Sequence, residues 1–93
     1  MKIEKIKPYQ KIEVEWFDSL GSSGWLSLKS AETEMGDIER LTNYSVGYFI
    51  KKTPFSIVIC QSYQKKIFEE GDRNIDNRLE IPLGAIRKIK KLA

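Results

Sequence analysis

The sequence predicts a small, mainly β protein in which about five short strands curl into a strongly bent barrel. Apolar and charged residues alternate strictly over residues 11–16, which is the period of a half-buried strand. Residues 44–50 and 55–63 are rich in aromatic and β-branched residues, and the four residues between them suit a hairpin loop. Residues 79–86 contain a proline and a glycine that indicate a tight turn before the last strand.

The first half of the chain contains one well-defined strand and one ambiguous segment. Trp16 closes the first strand and is predicted to lie in the core. Residues 18–24 are rich in Asp, Ser and Gly and predict a turn, after which residues 25–28 resume a strand. Residues 29–41 fit either one short helix or a long loop, because apolar residues recur near helical spacing but Gly36 interrupts them.

The predicted hairpin pairs Ile50 with Phe55 across a loop of residues 51–54, so that Tyr48 faces Ile57. Because side chains alternate along a strand, this register gathers one apolar set on a single side of the sheet. The inward set is Tyr44, Val46, Tyr48, Ile50, Phe55, Ile57 and Ile59. The outward set is Ser45, Gly47, Ser56, Cys60 and Ser62, together with two apolar exceptions, Phe49 and Val58. A slip of one residue would expose the apolar set, so the pattern fixes the pairing.

The second half ends in a polar segment and a final strand. Residues 64–77 are turn-rich and predict a mobile loop. Residues 79–82 predict a short strand, followed by a single helical turn and a closing strand. Ile86, Ile89 and Leu92 are spaced by three, which a bulge or a terminal helix explains, and we favour the strand.

The composition describes one small domain with little equipment for catalysis. Its length allows a single domain over residues 1–93, with residues 1–10 as a flexible or edge-strand arm. The absence of histidine removes the commonest acid–base side chain near neutral pH and the commonest nitrogen ligand for metals. The lone Cys60 excludes an internal disulfide and a structural zinc site, and its apolar neighbours place it in or near the core. We therefore expect no enzyme activity, no cofactor and no metal.

The net charge of +3 hides blocks of alternating sign. Residues 16–40 carry two basic and five acidic groups, whereas residues 41–68 carry four lysines and no acid. Residues 69–80 are again acidic, but their spacing does not follow that of a calcium loop, and Arg73 interrupts them. The sequence shows neither a secretory signal nor an apolar span of the roughly 20 residues that a transmembrane helix needs. We therefore expect a cytoplasmic protein.

The candidate binding residues are Trp25, Lys51, Lys52, Tyr63, Lys65 and Lys66. One lysine pair lies at the tip of the predicted hairpin, and the other lies at its base beside Tyr63. Lysine beside an aromatic ring is the composition that single-stranded nucleic acid or a nucleotide phosphate requires, through charge and stacking. The alternative is that the lysines are solvated and prevent strand addition at a sheet edge. Trp25 is a candidate exposed aromatic residue, although its burial is favoured.

Several segments resemble known proteins. Residues 81–89, Ile-Pro-Leu-Gly-Ala-Ile-Arg-Lys-Ile, resemble the turn that ends SH3-like barrels, where the proline opens a single 3-10 turn before the closing strand. More broadly, the chain resembles a group of uncharacterised small proteins encoded by bacteriophages and prophages. The segments that carry this second resemblance are residues 14–19, 24–25, 46–49, 57–63 and 81–82. It implies a five-stranded SH3-like or Sm-like small barrel and a phage setting, without a mechanism.

We therefore expect a non-enzymatic phage or prophage protein that acts as a binding or assembly module, with a protein partner or a second copy of itself and no membrane. One alternative is an oligomer that sequesters an anionic nucleotide signal of host immunity, with Tyr63 and the lysines lining pockets between subunits. The other is a barrel that binds single-stranded RNA or DNA, which the basic blocks favour and the acidic blocks disfavour. A barrel of this size cannot enclose a ligand, so recognition would use loops, an edge strand or a subunit interface.

Overall fold

The chain forms one open antiparallel sheet of five strands. The computed structural model describes residues 3–19, 25–33, 35–65 and 73–93. The strands are β1 (Lys11–Phe17), β2 (Thr42–Lys52), β3 (Ser56–Tyr63), β4 (Ile75–Pro82) and β5 (Ile86–Lys91), in the order β4-β3-β2-β1-β5. Two short helices, α1 (Leu28–Glu32) and α2 (Ile38–Leu41), lie between β1 and β2. The mainly β prediction is confirmed, whereas the sheet is not closed into a barrel.

β1 is an interior strand, because it pairs with β2 on one side and with β5 on the other. Ile12 and Val14 are completely buried, as strict alternation predicted. Trp16 packs against the core, and its indole Nε1 donates a hydrogen bond to Ser45 Oγ at 3.0 Å. The indole nitrogen therefore keeps a partner although the ring is partly buried.

β2 is the longest strand, and two neighbours share it. Its first part pairs with β1 as far as Tyr48, and its last part pairs with β3 from Tyr48 to Lys52. The register with β3 shifts between Phe49 and Lys51, which leaves Ile50 as an extra residue. An extra residue of this kind bends a strand and increases its twist. The bulge lies beyond Tyr48, where β2 pairs with β3 and no longer with β1.

The hairpin formed by β2 and β3 exists as predicted, but its predicted register is wrong. Tyr48 pairs with Cys60 instead of Ile57, because the loop lies farther along the chain than expected and Ile50 is an extra residue in β2. Thr53 Oγ1 closes the loop by accepting a hydrogen bond from the backbone N–H of Ser56 at 2.9 Å. The partner of Tyr48 is therefore three residues farther along β3 than predicted. Because successive side chains point to opposite faces, a shift by an odd number turns the other face of β2 toward the core.

The corrected register reverses the predicted faces of β2. Phe49, which was predicted to point outward, is buried. Tyr44 and Val46, which were predicted to point inward, are 63% and 55% exposed. Tyr48 and Ile50 are only half-buried. The largest aromatic side chain of this strand inside the core is therefore Phe49, and the tyrosines face outward.

More side chains of β3 are buried than the sequence predicted. Ile57 and Ile59 are buried as expected, but Phe55 lies at the hairpin tip with 82% of its surface exposed. Ser56, assigned to the outward face, is buried. Its hydroxyl donates a hydrogen bond to Glu80 Oε2 at 2.5 Å. This bond supplies the partner that a buried hydroxyl requires.

The segment between β1 and β2 contains two helices instead of the predicted strand at residues 25–28. Ser27 begins α1 by accepting a hydrogen bond from the N–H of Ser30 at 3.2 Å, which turns the chain out of the extended conformation. Asp37 caps α2 in the same way, and Gly36, with a φ of 75°, lies just before that cap. The ambiguous segment is therefore two short helices, and neither buries a residue.

The carboxyl-terminal part follows the predicted plan. Pro82 ends β4, a 3-10 turn spans Leu83–Ala85, and β5 follows. The register between β5 and β1 shifts so that Arg87 is an extra residue. This bulge brings Ile86 and Ile89 to the same face, where Ile89 is buried and Ile86 packs against the core. The spacing by three in the sequence is thus explained by the bulge.

The loop predicted over residues 64–77 is too long, because β4 already begins at Ile75, which pairs with Tyr63. β4 lies at an edge of the sheet, where most of its side chains face solvent. Because half of its side chains are polar, β4 lacks the hydrophobic pattern by which a strand is predicted from a sequence. The remaining part of this prediction, at residues 66–72, and the predicted turn at residues 20–24 lie outside the described residues.

The core is built mostly from isoleucine. Its buried members are Ile6, Ile12, Val14, Phe49, Ile57, Ile59, Ile81 and Ile89. Residues 3–10, predicted as an arm, contain a 3-10 turn at Ile3–Lys5 and contribute Ile6, which is 5% exposed. Each fully buried isoleucine stabilises the fold by about 1.5–3 kcal/mol relative to an exposed one.

Gly47 lies where β2 passes close to β3, and it provides a test of the corrected register. A Cβ atom at this position would lie 2.8 Å from the backbone oxygen of Cys60 and 3.2 Å from Ile59 Cδ1. We therefore expect Gly47→Ala to destabilise the protein by about 1–3 kcal/mol, because one strand must move. Gly84→Ala is the control, since nothing lies within 4 Å of a Cβ there. Equal urea midpoints for Gly47→Ala and the wild type would contradict this packing.

Candidate functional site

Three tyrosines meet at the end of the sheet where β3 stops. Tyr63 is the last residue of β3, and its ring centroid lies 5.0 Å from that of Tyr48 on β2 in a T-shaped arrangement. The ring of Tyr9, in the turn before β1, lies 4.5 Å from the ring of Tyr63 with an interplanar angle of 40°. We call Tyr9, Tyr48 and Tyr63 the tyrosine cluster. Aromatic pairs in these arrangements contribute about 0.5–1.5 kcal/mol beyond their area burial.

Tyr9 is held in an uncommon backbone conformation. Its φ is 67°, in the left-handed region, which costs a bulky residue roughly 1–2 kcal/mol. Two hydrogen bonds to β2 fix the chain there: Tyr9 N–H donates to Phe49 O at 2.6 Å, and Phe49 N–H donates to Gln10 O at 2.8 Å. The contacts of the turn with β2 therefore set the position of the Tyr9 ring.

Arg73 adds a positive charge to the tyrosine cluster. It precedes β4, and its guanidinium carbon lies 4.5 Å from the ring centroid of Tyr9 and 5.5 Å from that of Tyr63. A guanidinium over an aromatic face gains about 0.5–2 kcal/mol from the ring quadrupole. Its Nε is buried, and no described residue accepts a hydrogen bond from it. The ring faces, rather than a carboxylate of the described chain, hold this cation in place.

A shallow depression opens beside the tyrosine cluster. It has a volume of ≈ 360 Å³ and is lined by Tyr48, Gln61, Ser62, Tyr63 and Lys65. Gln61 Oε1 accepts a hydrogen bond from Asn77 Nδ2 at 2.6 Å, which fixes the Gln61 side chain across the β3–β4 pair. The depression thus combines two aromatic rings, a lysine, an amide and a hydroxyl.

The structure brings together two of the six candidate residues. Tyr63 and Lys65 line the same depression, whereas Lys51 and Lys52 lie near the opposite end of the hairpin. Lys52 pairs with Ile57, which is six residues before Tyr63 along β3, so the two ends are about 20 Å apart. Lys66 lies outside the described residues.

The sequence analysis did not identify Tyr9, Tyr48 or Arg73 as site residues. Tyr48 was assigned to the core because the register was wrong, and the correct register would have placed it outside. Arg73 was treated as an interruption of an acidic block. No local pattern marks Tyr9 or Arg73, because each reaches the site through tertiary contacts distant in sequence.

A second candidate surface consists of exposed apolar residues in and beside the helices between β1 and β2. Its members, which we call the apolar segment, are Trp25, Leu26, Leu28, Met35 and Ile38. Trp25 is fully exposed at 105%, so its expected burial is wrong. The other four are 51–66% exposed. Large exposed apolar patches commonly mark interaction surfaces.

Cys60 has the environment of a structural thiol. Only 1% of its surface is exposed, as its apolar neighbours predicted, although the predicted hairpin register had placed it on the outward face. Burial raises the pKa of the Cys60 thiol. Since the thiolate is the nucleophile, this environment works against reactivity.

Clusters of metal-ligating side chains and membrane-spanning helices are both absent from the described residues. Within them, no group of three or more His, Cys, Asp or Glu side chains could hold a metal ion. Over the same ranges, every helix is too short or too polar to cross a bilayer. In comparisons with known proteins, the chain matches no family model, no curated protein and no solved structure. The functional interpretation therefore depends on the geometry of the two surfaces.

The buried thiol of Cys60 predicts slow alkylation and a pH-dependent stability. Iodoacetamide consumes the thiolate, so we expect native protein to react at least tenfold more slowly than urea-unfolded protein at pH 8. Because the folded-state pKa is raised, the contribution of Cys60 to stability is present below the unfolded pKa and is lost as pH rises through the folded value. The urea midpoint of the wild type should therefore fall more steeply above pH 9 than that of Cys60→Ala. Parallel pH profiles, or equal alkylation rates, would contradict the burial.

Proposed function

We propose that the protein is a non-enzymatic assembly module that associates with a second copy of itself through the apolar segment. One observation carries the proposal: five large apolar side chains between residues 25 and 38 are each more than half exposed, and no residue of α1 or α2 is buried. Short helices gain most of their stability from packing an apolar face. A partner that covers this face would supply the packing.

The exposed area is sufficient for an interface. Removing the side chains of the apolar segment from water would bury roughly 700 Å² per chain, near the ~800 Å² that each partner contributes to a stable complex. Trp25 is the largest of them, and tryptophan is enriched among residues that dominate interface energies. The apolar segment therefore has enough area for an interface, and Trp25 is the side chain expected to contribute most to binding.

The charges of the segment favour a second copy as the partner. Lys29 on α1 and Glu39 on α2 have opposite signs, and Glu32, Asp37 and Arg40 add further mixed charges. A two-fold arrangement that sets α1 of one copy beside α2 of the other would bring Lys29 to Glu39 twice.

The sheet edges are less suited to assembly. β5 exposes Arg87, Lys88, Lys90 and Lys91, and charged edge strands oppose addition of another strand. β4, at the other edge, carries Asn77 with a φ of 51°. This left-handed residue interrupts the regular edge. Association through the apolar segment is therefore favoured over strand pairing.

We also propose a finer fold assignment, a source and a cellular location for this protein. We propose an SH3-like or Sm-like architecture, supported by β5 returning beside β1 after the proline-initiated 3-10 turn and by the bend in β2. A phage or prophage origin and a place in the bacterial cytoplasm depend on the sequence resemblance. The absence of histidine and the burial of Cys60 support a role without catalysis.

Light scattering coupled to size-exclusion chromatography tests the self-association. We expect a mass of twice the 10.8 kDa chain at tens of micromolar, because the apolar segment is then buried. Replacing Trp25 and Leu28 by serine should restore a monomer, with the dissociation constant raised at least tenfold.

Phe55→Ser is the matched control, because Phe55 is 82% exposed but lies at the hairpin tip, outside the apolar segment. This variant should retain the wild-type mass. Far-UV circular dichroism would confirm that all variants keep the sheet. A wild-type monomer at these concentrations, or a dimer that persists without Trp25 and Leu28, would overturn the proposal.

A further inference from the structure

We propose that the depression beside the tyrosine cluster binds a nucleotide unit, with its base against Tyr48 and Tyr63 and its phosphate near Lys65. The inference is independent of self-association, because the apolar segment contributes no residue to this depression. The shared ligand chemistry is an aromatic base joined to a phosphate. A single nucleic acid strand and a free nucleotide both supply it.

The rings provide a stacking surface for the base. Tyr48 and Tyr63 are both half-buried and both line the depression, so part of each ring is accessible from it. Contacts with Tyr9 and with each other hold the rings in place. A ring that is already fixed loses little side-chain entropy when a base stacks on it. Stacking of this kind tolerates any base, because every base has a π face.

Lys65 provides the complement to the phosphate, because it is exposed and lines the depression. Among the described residues that line the depression, none carries a carboxylate. Asp76 lines a neighbouring depression of ≈ 270 Å³ that shares Ser62 and Tyr63 with this one.

The lining also contains polar groups that can meet the edge of a base. Gln61 contributes an amide, whose Oε1 accepts a hydrogen bond from Asn77 Nδ2. Ser62 contributes a hydroxyl, which can donate or accept. The depression, at ≈ 360 Å³, lies at the lower end of the range of ligand sites and suits a single nucleotide.

Fluorescence anisotropy with a labelled oligothymidylate of about eight nucleotides tests the strand as source. We expect Tyr63→Leu to weaken binding tenfold to a hundredfold and Tyr63→Phe to retain it, because stacking needs the ring and not the hydroxyl. Lys65→Gln should make the slope of log K against log salt less negative by about 0.7. Lys51→Gln, at the opposite end of the hairpin, should leave binding and slope unchanged.

NMR titration with uridine monophosphate, guanosine monophosphate and inorganic phosphate tests the free nucleotide. Shifts confined to the residues of the depression, stronger for the nucleotides than for phosphate, support the site. Binding of the oligonucleotide alone identifies a strand as the ligand, and tighter binding of a mononucleotide identifies the free form. The variant lacking Trp25 and Leu28 should bind as the wild type does, which separates this inference from self-association.

Three outcomes would overturn the inference. The first is no binding of any probe to the wild-type protein. The second is equal binding by Tyr63→Leu and the wild type, with Lys65→Gln also unchanged. The third is equal affinity for phosphate and for the mononucleotides, which would show that the base is not recognised.

Discussion

The bend in β2 is the constraint on which the rest of the structure depends. β2 pairs with β1 along its first half and with β3 along its second half, and the extra residue Ile50 lies in the second half. Without the extra residue, the register set at the hairpin tip would turn Tyr48 and Ile50, rather than Phe49, to the face of Ile57 and Ile59. The close approach at Gly47 and the burial of Phe49 both follow from this geometry. The bend thus converts a flat sheet into one that wraps an aliphatic core.

The same geometry forms the tyrosine cluster. Tyr48 lies on the face of β2 opposite Phe49, and the hydrogen bonds between Phe49 and the turn at residues 9–10 bring Tyr9 alongside Tyr63. Arg73 reaches the cluster because β4 begins two residues after it, where Ile75 pairs with Tyr63 at the end of β3. Residues from four separate parts of the chain therefore meet where three strands begin or end. The position of the cluster is a consequence of strand pairing.

Local patterns predicted those parts of the fold that depend on local physics. Alternation over residues 11–16 identified β1, and Pro82 with the spacing of Ile86 and Ile89 identified the last turn and its bulge. The hairpin was predicted but its register was not, because both candidate registers bury Ile57 and differ only in which face of β2 turns inward. Arg73 could not have been assigned to the site, since its partners are distant in sequence. Strand registers and contacts between residues far apart in sequence are therefore the parts of the structure that the sequence did not predict.

The size of the core explains why so many aromatic side chains lie outside it. The chain is short, and six isoleucines fill most of the space between the strands, so that Phe49 is the single fully buried aromatic residue among those described. Small domains bury a smaller fraction of their surface than large ones. The remaining rings must either remain wet, as Trp25 does, or cover one another, as Tyr9 and Tyr63 do. A surface rich in aromatic rings is thus a direct result of a small aliphatic core, and it leaves those rings available for ligands and for a second chain.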